Sequence, residues 1–273
     1  MSSRSHASNS ERASTGAPGS VTVWKVVNVA TFLAVIAVNA LAGSGRLSGE
    51  SIGAIANRYP SYFLPADYVF GIWSVIYLGL AAFTAQQALP GKQPARVVRQ
   101  VGVWWLVSGV LNIAWVTLFT FERFGAALMA MVALLATLVI LNERAGKRHE
   151  RPPIGERLSV VYPFAMYLSW ISVALISNSF QYAHVVGWDG FGIDEATWSA
   201  IMMAAATALG WLMAFMKRMW LFPLVVAWAL FGIGARFPDV ALVSGTARVL
   251  VPLGIVGGLL LAWYSGKRRQ APA

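Results

Sequence analysis

The sequence contains no cysteine, which excludes disulfide bonds and thiolate metal sites. Charged residues are also scarce, at 12% of the chain, whereas a typical soluble domain carries roughly a quarter. Hydrophobic residues, in contrast, make up 58% of the chain. This balance excludes a soluble enzyme and a nucleic-acid-binding module, and it predicts an integral membrane protein.

Histidine is the other side chain in short supply. The three histidines are His6, His149 and His184, and all of them fall outside the apolar runs of the sequence. This placement argues against a metal site or a histidine-ligated haem inside the membrane. We expect no resident cofactor.

Long apolar runs are what the sequence has in abundance. A helix needs about 20 mainly apolar residues to cross the hydrocarbon core of a bilayer. We therefore predict an all-α membrane protein with eight transmembrane helices, at about residues 22–43, 67–89, 101–120, 124–142, 159–180, 197–216, 219–235 and 247–265.

The remaining segments divide the chain into regions. Residues 1–21 are rich in Ser, Ala and Gly and are predicted to be a disordered tail. Segment 44–66 is long for a connection and is predicted to be a lid. Loop 181–196 carries three acids and no Lys or Arg, which suits an extracytoplasmic surface. Residues 197–266 hold three further helices, and residues 267–273 form a basic tail.

The distribution of positive charge predicts the orientation. Of the 21 Lys and Arg residues, 16 fall in alternate connections: the segment up to Lys25, residues 90–100 and 143–158, the Lys217-Arg218 turn and the C-terminal tail. Basic residues favour the cytoplasmic side of a membrane. We therefore predict a multi-pass plasma-membrane protein with both termini cytoplasmic. The net charge of +10 then needs no nucleic-acid partner.

Three of the predicted helices carry aromatic and polar side chains at helical spacing. Residues three, four, seven or eleven positions apart share one face of a helix. The three stripes are Phe70, Trp73 and Tyr77 on the second helix, Ser108, Asn112, Trp115 and Phe119 on the third, and Tyr167, Trp170, Ala174 and Asn178 on the fifth. With the predicted orientation, the stripes meet in the outer half of the membrane below the lid.

Each of these residues has a simpler interpretation when it is taken alone. An intramembrane tryptophan can pack between helices, and Asn112 can serve as a hydrogen bond that joins helices. Tryptophans at helix ends, such as Trp104 and Trp105, are typical of the aromatic belt at the membrane surface. The convergence of the stripes at one depth is what favours a site.

The stripes also resemble a known family. Pro65-Ala-Asp-Tyr-Val-Phe70-Gly-Ile-Trp73-Ser-Val-Ile-Tyr77 is similar to the segment that opens the second helix of the tryptophan-rich sensory protein family, also called the translocator or peripheral benzodiazepine receptor family. Leu111-Asn112-Ile-Ala-Trp115-Val-Thr-Leu-Phe119 is similar to its third helix. Tyr167-x-x-Trp170-x-Ser172-x-Ala174-x-x-x-Asn178 is similar to its fifth helix.

This resemblance covers about residues 25–180 and implies a five-helix core, here residues 22–180, with three additional C-terminal helices. It implies a protein that binds porphyrins, sterols or similar apolar ligands under a lid formed by residues 44–66. A porphyrin or haem would then bind as a ligand and not as a resident cofactor. The contacts that it implies are Phe70, Trp73, Asn112, Trp115, Trp170 and Ala174, and helical spacing adds Tyr77, Phe119, Tyr167 and Asn178 to the predicted binding site.

We therefore predict a membrane protein that binds a planar hydrophobic ligand for transport or sensing. It is not expected to be an enzyme, because the predicted membrane interior offers almost no acid or base apart from tyrosines. Its expected partners are the small ligand and the lipid bilayer, and a homodimer is an assembly that the sequence neither requires nor excludes. The alternatives are a secondary transporter of a small solute and a structural membrane partner without a ligand.

Overall fold

A computed structural model describes residues 18–88, 92–146 and 153–268 of the chain. Within these ranges every regular element is a helix. The α-helices are α1 (Pro18–Gly43), α2 (Ile52–Arg58), α3 (Ile72–Ala88), α4 (Lys92–Thr120), α5 (Phe124–Gly146), α6 (Ile154–Glu156), α7 (Tyr162–Val185), α8 (Glu195–Lys217), α9 (Leu221–Arg236) and α10 (Ala241–Arg268). Short 3-10 turns at Asp67–Gly71 and Gly190–Gly192 and a π-helical turn at Arg157–Val161 complete the set.

Seven helical segments in the described residues are long and apolar enough to cross a membrane. They are Val21–Gly43, Asp67–Gln87, Val97–Thr120, Phe124–Ala145, Ile154–Val185, Glu195–Lys217 and Ala241–Tyr264. The chain is an all-α membrane protein. The predicted eighth crossing corresponds to α9, which has 16 residues and is therefore about 24 Å long. Because this is shorter than the hydrocarbon core, the eighth crossing stays a prediction.

The ends of the chain differ from the sequence-based boundaries. Helix α1 begins at Pro18, so the last four residues of the predicted tail 1–21 are helical, while residues 1–17 lie outside the described part. Proline suits the first turn of a helix, because the backbone N–H that it lacks would have no partner within the helix at that position. At the other end α10 includes Lys267 and Arg268, and residues 269–273 of the predicted basic tail lie outside the described part.

The helices pack in a bundle around α7, the most buried of the seven spans. Helix α4 packs against α1 and α5, and α5 and α9 pack against α7. Helix α10 packs against both α8 and α9. We call the end of the bundle that carries residues 44–66 the lid end. The α4–α5 turn, the α7–α8 connection and the α9–α10 connection lie at this same end.

Buried polar pairs join helices inside the bundle, as expected where lipid supplies no hydrophobic driving force. The Asn28 side-chain amide of α1 donates to Gln87 Oε1 of α3 at 2.7 Å.

The prediction of a belt position for Trp105 is wrong. Its ring is 3% exposed, packs edge-on against Phe83 and donates its indole N–H to the Asn28 carbonyl at 3.0 Å. The internal hydrogen bond and the aromatic partner explain why Trp105 is buried rather than turned to the membrane surface.

Candidate functional site

The three predicted stripes lie on helices that face one another at the lid end. Trp73 is in the first turn of α3, Trp115 is in the C-terminal half of α4, and Trp170 is in the middle of α7. Phe70 lies in the 3-10 turn just before α3, whereas the sequence placed it in the same α-helix as Trp73. The chain enters this turn in extended conformation at Ala66, directly after Pro65.

A cavity of about 500 Å³ lies between these helices and the lid segment. We call it the aromatic cavity. Seven of the ten predicted binding residues line it: Phe70, Trp73, Trp115, Phe119, Trp170, Ala174 and Asn178. The predicted lid contributes Ser51, Ile52, Gly53, Ala54, Ala56 and Asn57, so α2 lies against the cavity. The volume falls within the range of about 300–1,000 Å³ usual for small-molecule sites.

The indole rings on the cavity wall are in mutual contact. The Trp73 ring stacks on the Trp115 ring with a centroid distance of 6.3 Å and an interplanar angle of 24°. The Trp170 ring meets the Trp73 ring edge to face, at 6.4 Å and 85°, and the Phe70 ring meets Trp170 in the same way. Offset-stacked and edge-to-face arrangements are the preferred geometries of aromatic pairs, so the wall is held in a defined shape.

Three predicted site residues, Tyr77, Asn112 and Tyr167, are not on the cavity wall. Asn112 accepts a hydrogen bond from the Asn39 amide at 2.8 Å and donates one to the Tyr167 hydroxyl at 3.0 Å. It therefore joins α1, α4 and α7. The Tyr77 and Tyr167 rings pack against Trp73 from behind. Asn112 and Tyr167 support the wall because their polar atoms are engaged with each other, and Tyr77 supports it through its ring contact with Trp73.

The polar groups of the aromatic cavity are few. The Trp115 indole N–H donates to Asn178 Oδ1 at 3.0 Å, which fixes both side chains. The buried Trp170 indole N–H has no hydrogen-bond partner in the part of the chain that the structure describes. An unpaired buried donor costs free energy, so a ligand acceptor that reached it would gain a hydrogen bond.

Sequence reasoning missed Val173, Ser177 and Gln181, which also line the cavity from α7. These residues lie three, seven and eleven positions after Trp170, so the helical spacing contained the signal. Gln181 also donates its side-chain amide to the Ala56 carbonyl in α2 at 3.3 Å, which connects α7 to the lid.

One side of the lid is fixed to the turn between α4 and α5. Arg58 forms an ion pair with Glu122 at 2.6 Å, and the Tyr59 hydroxyl donates to the other carboxylate oxygen at 2.5 Å. The hydrogen bond to Glu122 raises the pKa of the Tyr59 phenol above its ordinary value, and burial adds to the shift. The Tyr59 ring also meets Phe124 edge to face.

The other side of the lid segment contacts the C-terminal helices. Arg236 at the end of α9 donates to Asn57 Oδ1 at 2.8 Å and lies 3.4 Å from an Asp67 carboxylate oxygen. Glu195 of α8 accepts the Tyr62 backbone N–H at 2.9 Å, and the Ser199 hydroxyl donates to the Tyr62 carbonyl at 2.7 Å. The sequence offered no signal for these contacts, since they join segments far apart in the chain.

Helix α9 also approaches the rim of the cavity closely. The Ala66 N–H donates to the Gly232 carbonyl at 3.2 Å. The Trp228 indole N–H donates to the Val69 carbonyl at 3.1 Å. A Cβ atom on Gly232 would lie 2.1 Å from Val69 Cγ2, so this approach requires glycine. The C-terminal helices therefore hold the rim as well as the lid.

The fold and the cavity together define a helical membrane protein with an aromatic chamber at one end of its bundle and a short helix across it. A family model described as TSPO-like protein matches residues 25–260. The chain belongs to this TSPO-like family, which confirms the resemblance noted from the sequence. The match extends beyond residue 180 into α10, so α8 and α9 and most of α10 fall within it. No curated protein and no solved structure matches the chain.

Proposed function

We propose that the aromatic cavity binds a planar hydrophobic molecule of the porphyrin or sterol type, and that the protein acts in transport or sensing of that molecule. The observation that carries this proposal is the meeting of Trp73, Trp115 and Trp170, from three separate helices, on the wall of one cavity. Flat aromatic faces stack on one another, so a wall of indole rings favours a flat aromatic or polycyclic ligand.

The polar groups at the cavity favour binding rather than catalysis. Among the described residues that line it, Asp67 supplies the one carboxylate, and that group lies 3.4 Å from the Arg236 guanidinium. A general acid or base must be free to exchange a proton with the substrate. In this proposal Asp67 instead holds the rim, and no resident cofactor takes part. A porphyrin or haem would enter as the ligand itself.

The lid supplies the conformational step that transport or sensing requires. Helix α2 has seven residues, is capped at its N-terminus by the Ser51 hydroxyl, and is held to the bundle mostly by side-chain contacts at its two edges. Breaking these contacts would expose the cavity without unfolding a transmembrane helix. We further propose a plasma-membrane location with both termini cytoplasmic, which puts the lid on the extracytoplasmic side.

Protoporphyrin titration of the purified protein in lipid nanodiscs tests the proposal. We expect saturable quenching of tryptophan fluorescence, with affinity reduced about fivefold in Trp73→Phe, Trp115→Phe and Trp170→Phe variants, since stacking contributes roughly 1 kcal/mol per ring. Trp263→Phe is the matched control, because Trp263 is an exposed residue of α10 far along the chain from the cavity wall.

Equal affinities in all four variants would refute the assignment of the cavity. Absence of porphyrin binding, together with solute uptake driven by a proton or sodium gradient in proteoliposomes, would favour a secondary transporter instead. A protein that shows neither behaviour would match the structural-partner alternative.

A further inference from the structure

A second cavity, of about 580 Å³, lies at the lid end between α7, the α7–α8 connection and α8. It shares no lining residue with the aromatic cavity. The two lie on different faces of α7: Ala174 and Asn178 line the aromatic cavity, whereas Ile176 and Phe180 line the second cavity. Occupation of one does not require occupation of the other.

The second cavity is apolar at its deep end and acidic at its mouth. Leu175, Ile176 and Met202 form the deep wall. Leu175 lies ten residues before the end of α7, which is about 15 Å along the helix axis. The mouth is formed by residues of the connection and the start of α8, including Asp189, Asp194 and Glu195. Such a gradient suits a molecule with an aliphatic chain and a polar head.

The mouth carries negative charge that the protein does not neutralise. Asp189, Asp194 and Glu195 form no ion pair with any residue that the structure describes. Each accepts a hydrogen bond from a backbone N–H, which holds its side chain in place. Hydrogen bonds from the Thr197 side chain and backbone also hold the pKa of the Asp194 carboxyl below its usual range.

Two indole rings stand beside these carboxylates. The Trp188 ring is 44% exposed and lies 5.5 Å from the Trp198 ring, measured between centroids. The Trp198 indole N–H donates to the Gly190 carbonyl at 2.9 Å, which fixes that ring at the mouth. Aromatic faces next to carboxylates attract ammonium groups through both cation–π and ionic interactions.

We propose that the second cavity binds a cationic amphiphile, with its aliphatic chain between α7 and α8 and its ammonium head at Asp189, Asp194, Glu195 and the two indole rings. A head group that also carried a phosphate would meet three carboxylates at short range and be repelled. The chemistry therefore favours an alkylammonium or alkyl quaternary ammonium compound over a phospholipid. This proposal does not rest on ligand binding in the aromatic cavity.

The test uses a dodecyltrimethylammonium probe brominated on the chain carbons next to its ammonium head, added to the full-length protein in nanodiscs of zwitterionic lipid. Bromine quenches tryptophan fluorescence on contact, so binding near Trp188 and Trp198 is read out directly. We expect saturable quenching beyond that caused by probe dissolved in the lipid. We expect about three- to fivefold weaker binding in each of Asp189→Asn and Asp194→Asn. Asparagine keeps the oxygen that accepts the capping hydrogen bond, so both variants should fold.

Asp239→Asn is the matched control, because Asp239 is an exposed acid at the same end of the bundle and does not line the cavity. Ala183→Leu adds bulk to the cavity wall and should weaken binding of the probe without altering the charge of the site. Equal binding by all variants, or equal binding of a brominated dodecyl sulfate, would overturn the proposal. Protoporphyrin titration of the same samples reports on the aromatic cavity separately.

Discussion

Arg236, the last residue of α9, donates a hydrogen bond to the side-chain oxygen of Asn57 in the lid helix, with an Nη2–Oδ1 distance of 2.8 Å. The same guanidinium lies 3.4 Å from Asp67 Oδ1 at the rim of the aromatic cavity. Asn57 in turn donates to the Asp67 carboxylate. One side chain from the C-terminal helices thus connects the lid and the rim of the cavity.

Arg236→Gln should loosen the lid. The variant loses the charge that pairs with Asp67 and shortens the reach to Asn57. A hydrogen bond to a charged group contributes about 1 kcal/mol or more when partly buried. We expect amide hydrogen exchange in residues 52–58 to accelerate about fivefold, and bound protoporphyrin to dissociate faster. Exchange mass spectrometry of the protein in nanodiscs measures the first effect.

Arg248→Gln is the control for this experiment. Arg248 is an exposed arginine of α10 with no ion pair in the part of the chain that the structure describes. Its replacement should leave exchange in α2 unchanged. Unchanged exchange in Arg236→Gln as well would mean that α9 does not restrain the lid.

Glu122→Gln should loosen the opposite edge of the lid. Glu122 receives both the Arg58 guanidinium and the Tyr59 hydroxyl. The two donors bind different carboxylate oxygens, and in glutamine one of these positions is an NH₂ group, so one of the two bonds is lost in the present geometry. We expect faster exchange in residues 52–58. Glu50→Gln should have a smaller effect, since Glu50 contacts the same arginine at 3.2 Å but does not touch Tyr59. Equal effects of the two variants would contradict the role of Tyr59.

The Tyr59 phenol should titrate above its ordinary pKa of 10.0, because its hydroxyl donates a hydrogen bond to the Glu122 carboxylate. A pKa raised by folding means that the hydrogen bond is fully present below pH 10 and is lost as pH rises through the folded-state value. A carbon-13 NMR titration of labelled tyrosine should show this, and the pKa of Tyr59 should fall in Glu122→Gln. An unshifted pKa in the wild type would mean that the bond does not form.

Asn112→Leu should lower stability more than it alters ligand binding. The change removes the hydrogen bonds to Asn39 and Tyr167 and leaves a buried hydroxyl without this partner. The expected loss is about 1–2 kcal/mol of unfolding free energy, measured by thermal or denaturant unfolding in detergent. Tyr167→Phe removes one of the same bonds and should cost less. Loss of porphyrin affinity at unchanged stability would instead make Asn112 a ligand contact.

Gly232→Ala should destabilise the contact between α9 and the rim of the cavity. The added Cβ would lie 2.1 Å from Val69 Cγ2 and 3.3 Å from Pro65 Cβ, and Val69 is buried and branched at Cβ. Overpacking of this kind costs about 1–3 kcal/mol. Gly245→Ala in α10 is the control, because its Cβ would meet nothing within 4 Å. Equal unfolding temperatures for the two variants would contradict the close approach.

The sequence predicted residues of the cavity wall better than the contacts that hold the wall and the lid in place. Helical spacing identified Trp73, Trp115 and Trp170, because the periodicity of an α-helix determines which residues share a face. The same argument included Asn112 and Tyr167, which share those faces but lie where helices touch. The belt position predicted for Trp105 is wrong for a different reason: position near a helix end does not show whether a ring turns toward lipid or toward a neighbouring helix.

The amino-acid sequence by itself determined that this protein is a bundle of membrane-spanning helices, because the length of an apolar run suffices to predict a crossing. Only the tertiary structure decided what holds the lid and where the second cavity lies. Arg236 and Asn57 are 179 residues apart in the chain, and local periodicity carries no information about such pairs. Their contact depends on how α9 packs against the rim, which the whole bundle determines.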